Sequence, residues 1–127
     1  MTTSQFCQMY IRPFTSRSHT SFLDVLASEG NEGLTGEASW FISHTWTNPV
    51  VDTLEAVCTE LLDESKGSRA NAFVWFDVMA TPQYETDGPS KPSSWWMTTF
   101  KDSIAHIGGL LLVVDAWDNP TALQRAW

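Results

Sequence analysis

A chain of 127 residues makes one domain, long enough to bury a core and too short for two ordinary ones. Fifteen acidic against seven basic side chains leave a formal charge of −8. The basic residues are scattered from Arg12 to Arg125, so the footprint of a phosphate backbone or an anionic bilayer is missing, and nucleic acid and membrane insertion are excluded as expectations.

The opening Met1-Thr2-Thr3-Ser4-Gln5 is polar and has neither the basic start nor the apolar core of a signal peptide. An intracellular, soluble, cytoplasmic protein is the expectation. Gln8-Met9-Tyr10-Ile11 reads as a short edge strand stopped by Pro13. After a polar stretch, Ser21 to Ala27 carries Phe22, Val25 and Leu26 at helical spacing. Glu29 to Gly36 reads as a glycine-rich loop. Residues 1–37 thus form an N-terminal extension on a domain spanning 38–127.

That domain opens on Trp40-Phe41-Ile42, an aromatic and β-branched run suited to a buried strand, which turns polar at Ser43-His44-Thr45. Asn48 as N-cap and Pro49 at the first helical position then start a helix running to about Ser65. Val50, Leu54, Val57, Cys58, Leu61 and Leu62 form one apolar stripe on it, so Cys58 is expected to be a buried thiol, and Lys66-Gly67 closes it. Ala72 to Asp77 is the second strand. A long irregular stretch from Thr81 to Pro92 follows, and then a helix capped by Ser93 or Ser94 with Trp96, Phe100, Ile104 and Ile107 on one face. Gly108-Gly109 ends it. Leu110 to Asp115 is the third strand, continuous and aliphatic as a central parallel strand is, and far below the ~20 residues of a membrane span. Asn119-Pro120 starts a last, short helix.

The β-α-β-α-β-α order predicts a parallel, three-layer α/β sheet with right-handed crossovers. Three strands leave two long edges, so Tyr10-Ile11 adds a strand, a partner covers an edge, or the chain is part of a larger domain.

In such a sheet the strand carboxyl ends share one edge. That edge collects Ser43, His44, Thr45 and Trp46, then Asp77, then Asp115, Trp117 and Asp118. In the order 2-1-3, His44 lies between Asp77 and Asp115, where a carboxylate fixes the tautomer of the imidazole. The alternative is that His44 and Asp77 only tie loops down. Trp46 and Trp117 are placed to stack on a planar ligand, with Trp95-Trp96 as a lid; core packing is the competing role. Ser43 and His44 are adjacent and point to opposite faces, so they make no nucleophile–base pair. His19 and His106 are weaker candidates. No histidine or cysteine spacing suits a structural zinc site.

Phe41-Ile42-Ser43-His44 resembles the first-box strand of Toll/interleukin-1 receptor (TIR) domains. The Phe76-Asp77 strand end, the helix with Ile104 and the Leu110–Val114 strand follow in the same order. More closely, residues 38–127 resemble TIR-like modules of large protist and algal proteins, which share a Phe-Ile-Ser-His-x-Trp strand and a Trp-x-x-Pro-x-x-Leu-x-Arg-x-Trp ending, here Trp117 to Trp127. The resemblance implies a flavodoxin-like fold. It implies either association in signalling assemblies or cleavage of NAD at the nicotinamide bond by a glutamate on the third helix. The chain stops at Trp127, ahead of that glutamate, and Ser39-Trp40 replaces the usual acid before the first strand. The expectation is an interaction module, self-associating or binding a protein partner, without complete catalytic machinery, in a sheet incomplete at its carboxyl terminus. An NAD-binding or NAD-cleaving enzyme is the alternative. Ser43, His44, Trp46, Asp77 and Trp117 are the ligand-edge residues, with His44 positioning and Trp46 the first to mutate.

Overall fold

A computed structural model describes residues 1–69, 71–84, 94, 98 and 101–124. Its centre is a parallel three-stranded sheet of order β2-β1-β3, made of β1 (Trp40–Ser43), β2 (Val74–Trp75) and β3 (Leu110–Leu112). Trp40 lies beside Val74, Phe41 beside Trp75 and Leu110, and Ser43 beside Leu112. The fold is mixed α/β, with the expected strand order.

Alternation along β1 sends Ile42 to one face, where it packs with Val50, Val57 and Leu61 of α4 (Val50–Leu62) and with Phe76. Phe41, buried at 3 %, stacks on Trp75 at 4.8 Å. The buried side of α4 is Val50, Thr53, Val57 and Leu61, while Leu54, Cys58 and Leu62 are exposed. The stripe expected from sequence is therefore rotated, and Cys58 is not a buried thiol. The rotation arises because Thr53 is tolerated inside: its hydroxyl donates to the Pro49 carbonyl at 3.3 Å. The helix begins one residue later than expected, with Pro49 at the cap, and the Val50 amide donates to the Met1 carbonyl. Lys66 and Gly67 do close the segment, through a 3-10 turn at Glu64–Lys66 and a left-handed Gly67 at φ 72°. Beyond it Arg69 folds back onto α4, donating to the Glu60 carbonyl at 3.2 Å and lying 4.8 Å over the Trp40 ring.

The expected edge strand at Gln8–Ile11 is helical instead. Thr2 and Gln5 make a reciprocal capping box that starts α1 (Thr3–Phe6), a π turn covers Cys7–Ile11, and α2 (Arg12–Thr15) continues the run. The buried residues Thr3, Cys7, Ile11 and Thr15 recur every four positions. Pro13 has no N–H to give, and a wider turn just before it, with the Arg12 amide donating to Cys7, carries the chain past the gap. Cys7 and Ile11 enter the same core as Ile42 and Phe76. The next helix, α3 (Phe22–Ser28), matches the expectation and is held by a Ser21–Asp24 capping box.

The second strand is shorter than the expected Ala72–Asp77: after Val74–Trp75 the chain turns into α5 (Asp77–Ala80), a turn of helix that opens on the residue expected to end the strand. Of the next expected helix, α6 (Lys101–Ile107) is described, with Ile104 and Ile107 half-buried; Trp95, Trp96 and Phe100 lie outside the described residues. Gly108 ends it at φ 89°. β3 is an edge strand, not a central one: Leu110 and Leu112 are exposed while Leu111 is half-buried. The last expected helix is a 3-10 turn at Thr121–Gln124, and residues 125–127 lie outside the description. No described helix is long and apolar enough to cross a membrane.

A methyl group on Gly109 would sit 2.6 Å from the Ser39 carbonyl and 2.7 Å from the Trp40 ring, whereas one on Gly33 would meet nothing. Gly109→Ala should destabilise the fold by about 1–3 kcal/mol in urea titrations, because backbone has to move. Gly33→Ala should stay within about 0.5 kcal/mol. Thiol labelling should modify Cys58 at once and Cys7 only on unfolding. A native protein that resists labelling at both thiols would contradict the orientation of α4.

Candidate functional site at the strand carboxyl ends

Asp77 lies two residues past β2, after the cap residue Phe76, and it draws together the polar residues leaving β1. His44 Nε2–H donates to Asp77 Oδ1 at 2.8 Å, the Trp46 indole N–H donates to Oδ2 at 2.7 Å, and the Val78 amide donates to Oδ1 at 2.8 Å. The imidazole is buried, 1 % exposed, and tilts against Phe76 with ring centres 4.8 Å apart. Asp77 keeps 24 % of its side-chain surface. Burial pushes its carboxyl up, but the His44 hydrogen bond and charge, the Trp46 indole and the Val78 amide outweigh that and hold it below the usual carboxylate range.

A second strand-end group lies on the β3 side. The Asp115 carboxylate accepts from the Thr121 amide at 3.0 Å and the Thr121 hydroxyl at 2.8 Å, and these hold it below the ordinary aspartate range. The Thr121 hydroxyl in turn meets that of Thr45 at 3.2 Å. Asp115 caps the last turn, whereas sequence assigned the start to Asn119-Pro120. His44 and Thr45, neighbours in sequence, thus engage the ends of the two flanking strands.

Of the sequence-predicted site residues, His44, Trp46 and Asp77 meet in one hydrogen-bonded group. Ser43 is buried on the other side of β1, and its carbonyl accepts from Val113 at 2.9 Å. Trp117 lies outside the group and is 93 % exposed. Of the weaker histidines, His106 in the last turn of α6 is exposed, 3.7 Å from Glu37, and His19 stacks on Tyr84 at 4.4 Å.

Gln83 and Tyr84 escaped notice in the sequence. The Gln83 side-chain amide reaches the carbonyls of Asp77, Val78 and Thr81 at 3.0–3.3 Å, and its oxygen accepts from the Cys7 thiol at 3.4 Å. Burial pushes that thiol up, opposed by the Arg12 charge and helped by Asp77. The Tyr84 hydroxyl donates to the Arg12 carbonyl at 2.7 Å, with the Arg12 guanidinium 4.7 Å from its ring. Their contacts with the N-terminal run, Gln83 with Cys7 and Tyr84 with Arg12, span 76 and 72 positions and leave no short-range signal; a capping box at Thr2-x-x-Gln5 was the available clue that this run is helical.

An acid or base must reach the proton it transfers, and His44 is 1 % exposed with its Nε2 on Asp77. The arrangement can fix the strand ends and orient Trp46. An apolar cavity of about 110 Å³ lies on the α4 side, among Ile42, Thr53, Val57, Val74, Phe76 and Met79. A shallower dish of about 340 Å³ lies around Phe14, Arg17 and Asp24. Neither includes the predicted strand-end residues, and the first is below the ~300 Å³ that a drug-sized ligand fills. Among the described residues no cluster of histidine, cysteine and carboxylate side chains could hold a metal ion. No family model, curated protein or solved structure matches the chain.

Asp77→Asn keeps the shape and removes the charge that three donors face. It should lower stability by about 2 kcal/mol at pH 7, read by chemical denaturation. A carboxyl held below its unfolded value near 3.9 stabilises fully above that value and loses its contribution as pH falls through the folded value. The wild type should therefore lose stability below about pH 4 more steeply than the variant does.

Proposed function

We propose that this chain is a TIR-like, flavodoxin-like three-layer module that acts by association, with itself or a protein partner, in signalling or in a larger intracellular assembly. The observation that carries this reading is a contrast between two surfaces. The polar strand-end groups are engaged with one another, His44 and Trp46 on Asp77 and Thr45 through Thr121 to Asp115. The apolar surface is left outward, with Leu110 and Leu112 along β3 at 54 % and 42 % exposure, and Trp117 beyond. Exposed apolar groups on a sheet edge favour partners, while a buried histidine held on a carboxylate favours structure. Mass measurement by light scattering over a concentration series, with the chain alone, tests the reading. A mass above 14.2 kDa that grows with concentration is expected. A folded monomer throughout would remove self-association and leave only a different protein as partner.

The second reading is an NAD-binding or NAD-cleaving enzyme. It is favoured by the exposure of Trp117 and of part of Asp77 at the strand-end edge. Incubation with NAD, followed by chromatography for nicotinamide and titration of tryptophan fluorescence, separates the two. The association reading expects neither release nor quenching; release that disappears in Asp77→Asn with the fold retained would replace it.

A further inference from the structure

We infer that the outward face of α4 is a docking groove for a basic, amphipathic helix of another protein, which anchors one apolar side chain in the cavity beside Leu54. The inference rests on the association reading and supplies the partner's chemistry and the surface that takes it.

The side of α4 that meets the core carries Val50, Thr53, Val57 and Leu61. Val51, Leu54, Cys58 and Leu62 follow one another at steps of three and four, so they form a second line along the outside of the same helix. All four are exposed, Val51 at 65 %, Leu54 at 38 % and Leu62 at 53 %. Single exposed apolar residues need no explanation, but a continuous line about three turns long marks a contact surface. The apolar cavity of about 110 Å³ reaches the surface along this line, because Leu54 belongs to both. Leu23 of α3, Val74 of β2 and Met79 of α5 wall the cavity on its other sides, and each is half-buried. The polar side chain among its lining residues, Thr53, turns its hydroxyl to the Pro49 carbonyl at 3.3 Å, so the cavity is built for an apolar group.

Three features select the occupant. A helix flank offers no free backbone groups, so a segment lying on it has to satisfy its own amides, as a helix does. The cavity is too small for a metabolite, and since an apolar cavity of roughly 150 Å³ holds one benzene ring, this one suits a single leucine-sized side chain. Buried anchors of this kind carry most of the affinity at an interface. The third feature is charge. Asp52 and Glu55 stand beside the line, both exposed and in no ion pair among the described residues. Lys66 and Arg69, the cations that follow the helix, are both held by Glu60, at 2.7 and 3.4 Å. A partner with lysine or arginine flanking its apolar face meets these acids, and the charge of −8 on the whole chain speeds its approach. Two copies meeting α4 to α4 would set the same acids against each other, so the groove is not a twofold contact.

The probe is a fluorescently labelled helical peptide of roughly 18 residues, with leucine at its a and d positions and lysine elsewhere. Titrated with the full chain and followed by anisotropy, it should bind at micromolar concentration and protect Cys58 from thiol labelling. Replacing its lysines by glutamate, or its leucines by lysine, should weaken binding tenfold or more. Val51→Lys combined with Leu62→Lys, at two exposed positions, should do the same with the far-ultraviolet spectrum unchanged. Leucine-to-alanine changes along the peptide should single out one anchor whose loss costs tenfold or more. Leu23→Phe, which narrows the cavity, should weaken the intact peptide and leave the anchor-less one unaffected. A peptide that does not bind at millimolar chain overturns the inference. So does one that binds equally well without its lysines or its leucines, or that leaves Cys58 as reactive as in the free chain. If the peptide fails while the mass of the chain alone still grows with concentration, the association reading stands on another surface and only this groove is lost. A chain that stays monomeric yet binds the peptide loses self-association and keeps the groove.

Discussion

The Asp77 carboxylate is the point on which the sheet's geometry depends. β1 and β2 share only the register Trp40–Val74 and Phe41–Trp75, a short ladder that backbone bonds alone would hold weakly. The side chains leaving β1 continue the connection where the ladder stops. Two donors come from β1's exit and one from the amide that opens α5, so a single carboxylate fixes a strand end, a turn and a helix start together. Hydrogen bonds to an ionised acceptor are the strong kind, and a network of this type is stable only while every member is engaged. Phe76 and Val78, on either side of Asp77, are buried at 4 % and 0 %, so the acid is carried between two anchors in the core.

The N-terminal helical run completes the same core. Burial of Cys7 and Ile11 against Ile42 and Phe76 is apolar packing worth about 1.5–3 kcal/mol for a side chain such as Ile11. Gln83 and Tyr84 reach back to that run, one to Cys7 and the other to Arg12, so the segment after α5 leaves the sheet already tied to it. Strand ends, α5 and the N-terminal helices are thereby linked by side chains as well as by packing.

The sheet was legible from residues 38 onward because strands of Trp-Phe-Ile and Leu-Leu-Val type alternate with turn signals. Chain order then leaves few arrangements, of which β2-β1-β3 is the one found. The pairing of His44 with Asp77 followed from that order. What was not legible has particular causes. Gln8-Met9-Tyr10-Ile11 is too short to show whether its period is two or four, and the proline behind it suggested an end where the helix instead widens. On α4, Thr53 goes inside and Leu54 outside because a threonine hydroxyl can bond back to its own helix. The fate of Trp46 depended on whether an acceptor stood nearby, and that acceptor is 31 residues away. Polar partners across such distances leave no local trace.

The first residues of the chain lie along the turn between β1 and α4. The Thr3 amide donates to Asn48, the Ser4 amide to Trp46 and the Val50 amide to Met1, with a bridge from Thr2 to Pro49. A helix usually satisfies its first amides with a neighbouring side chain, but α4 has no such cap and takes this contact from the far end of the segment. Closing a loop of that size costs chain entropy, which the bonds of this strap and the burial of Cys7 and Ile11 behind it offset. Because the strap's amides and the Val50 amide share these bonds, lifting the first residues breaks the contacts of both at once.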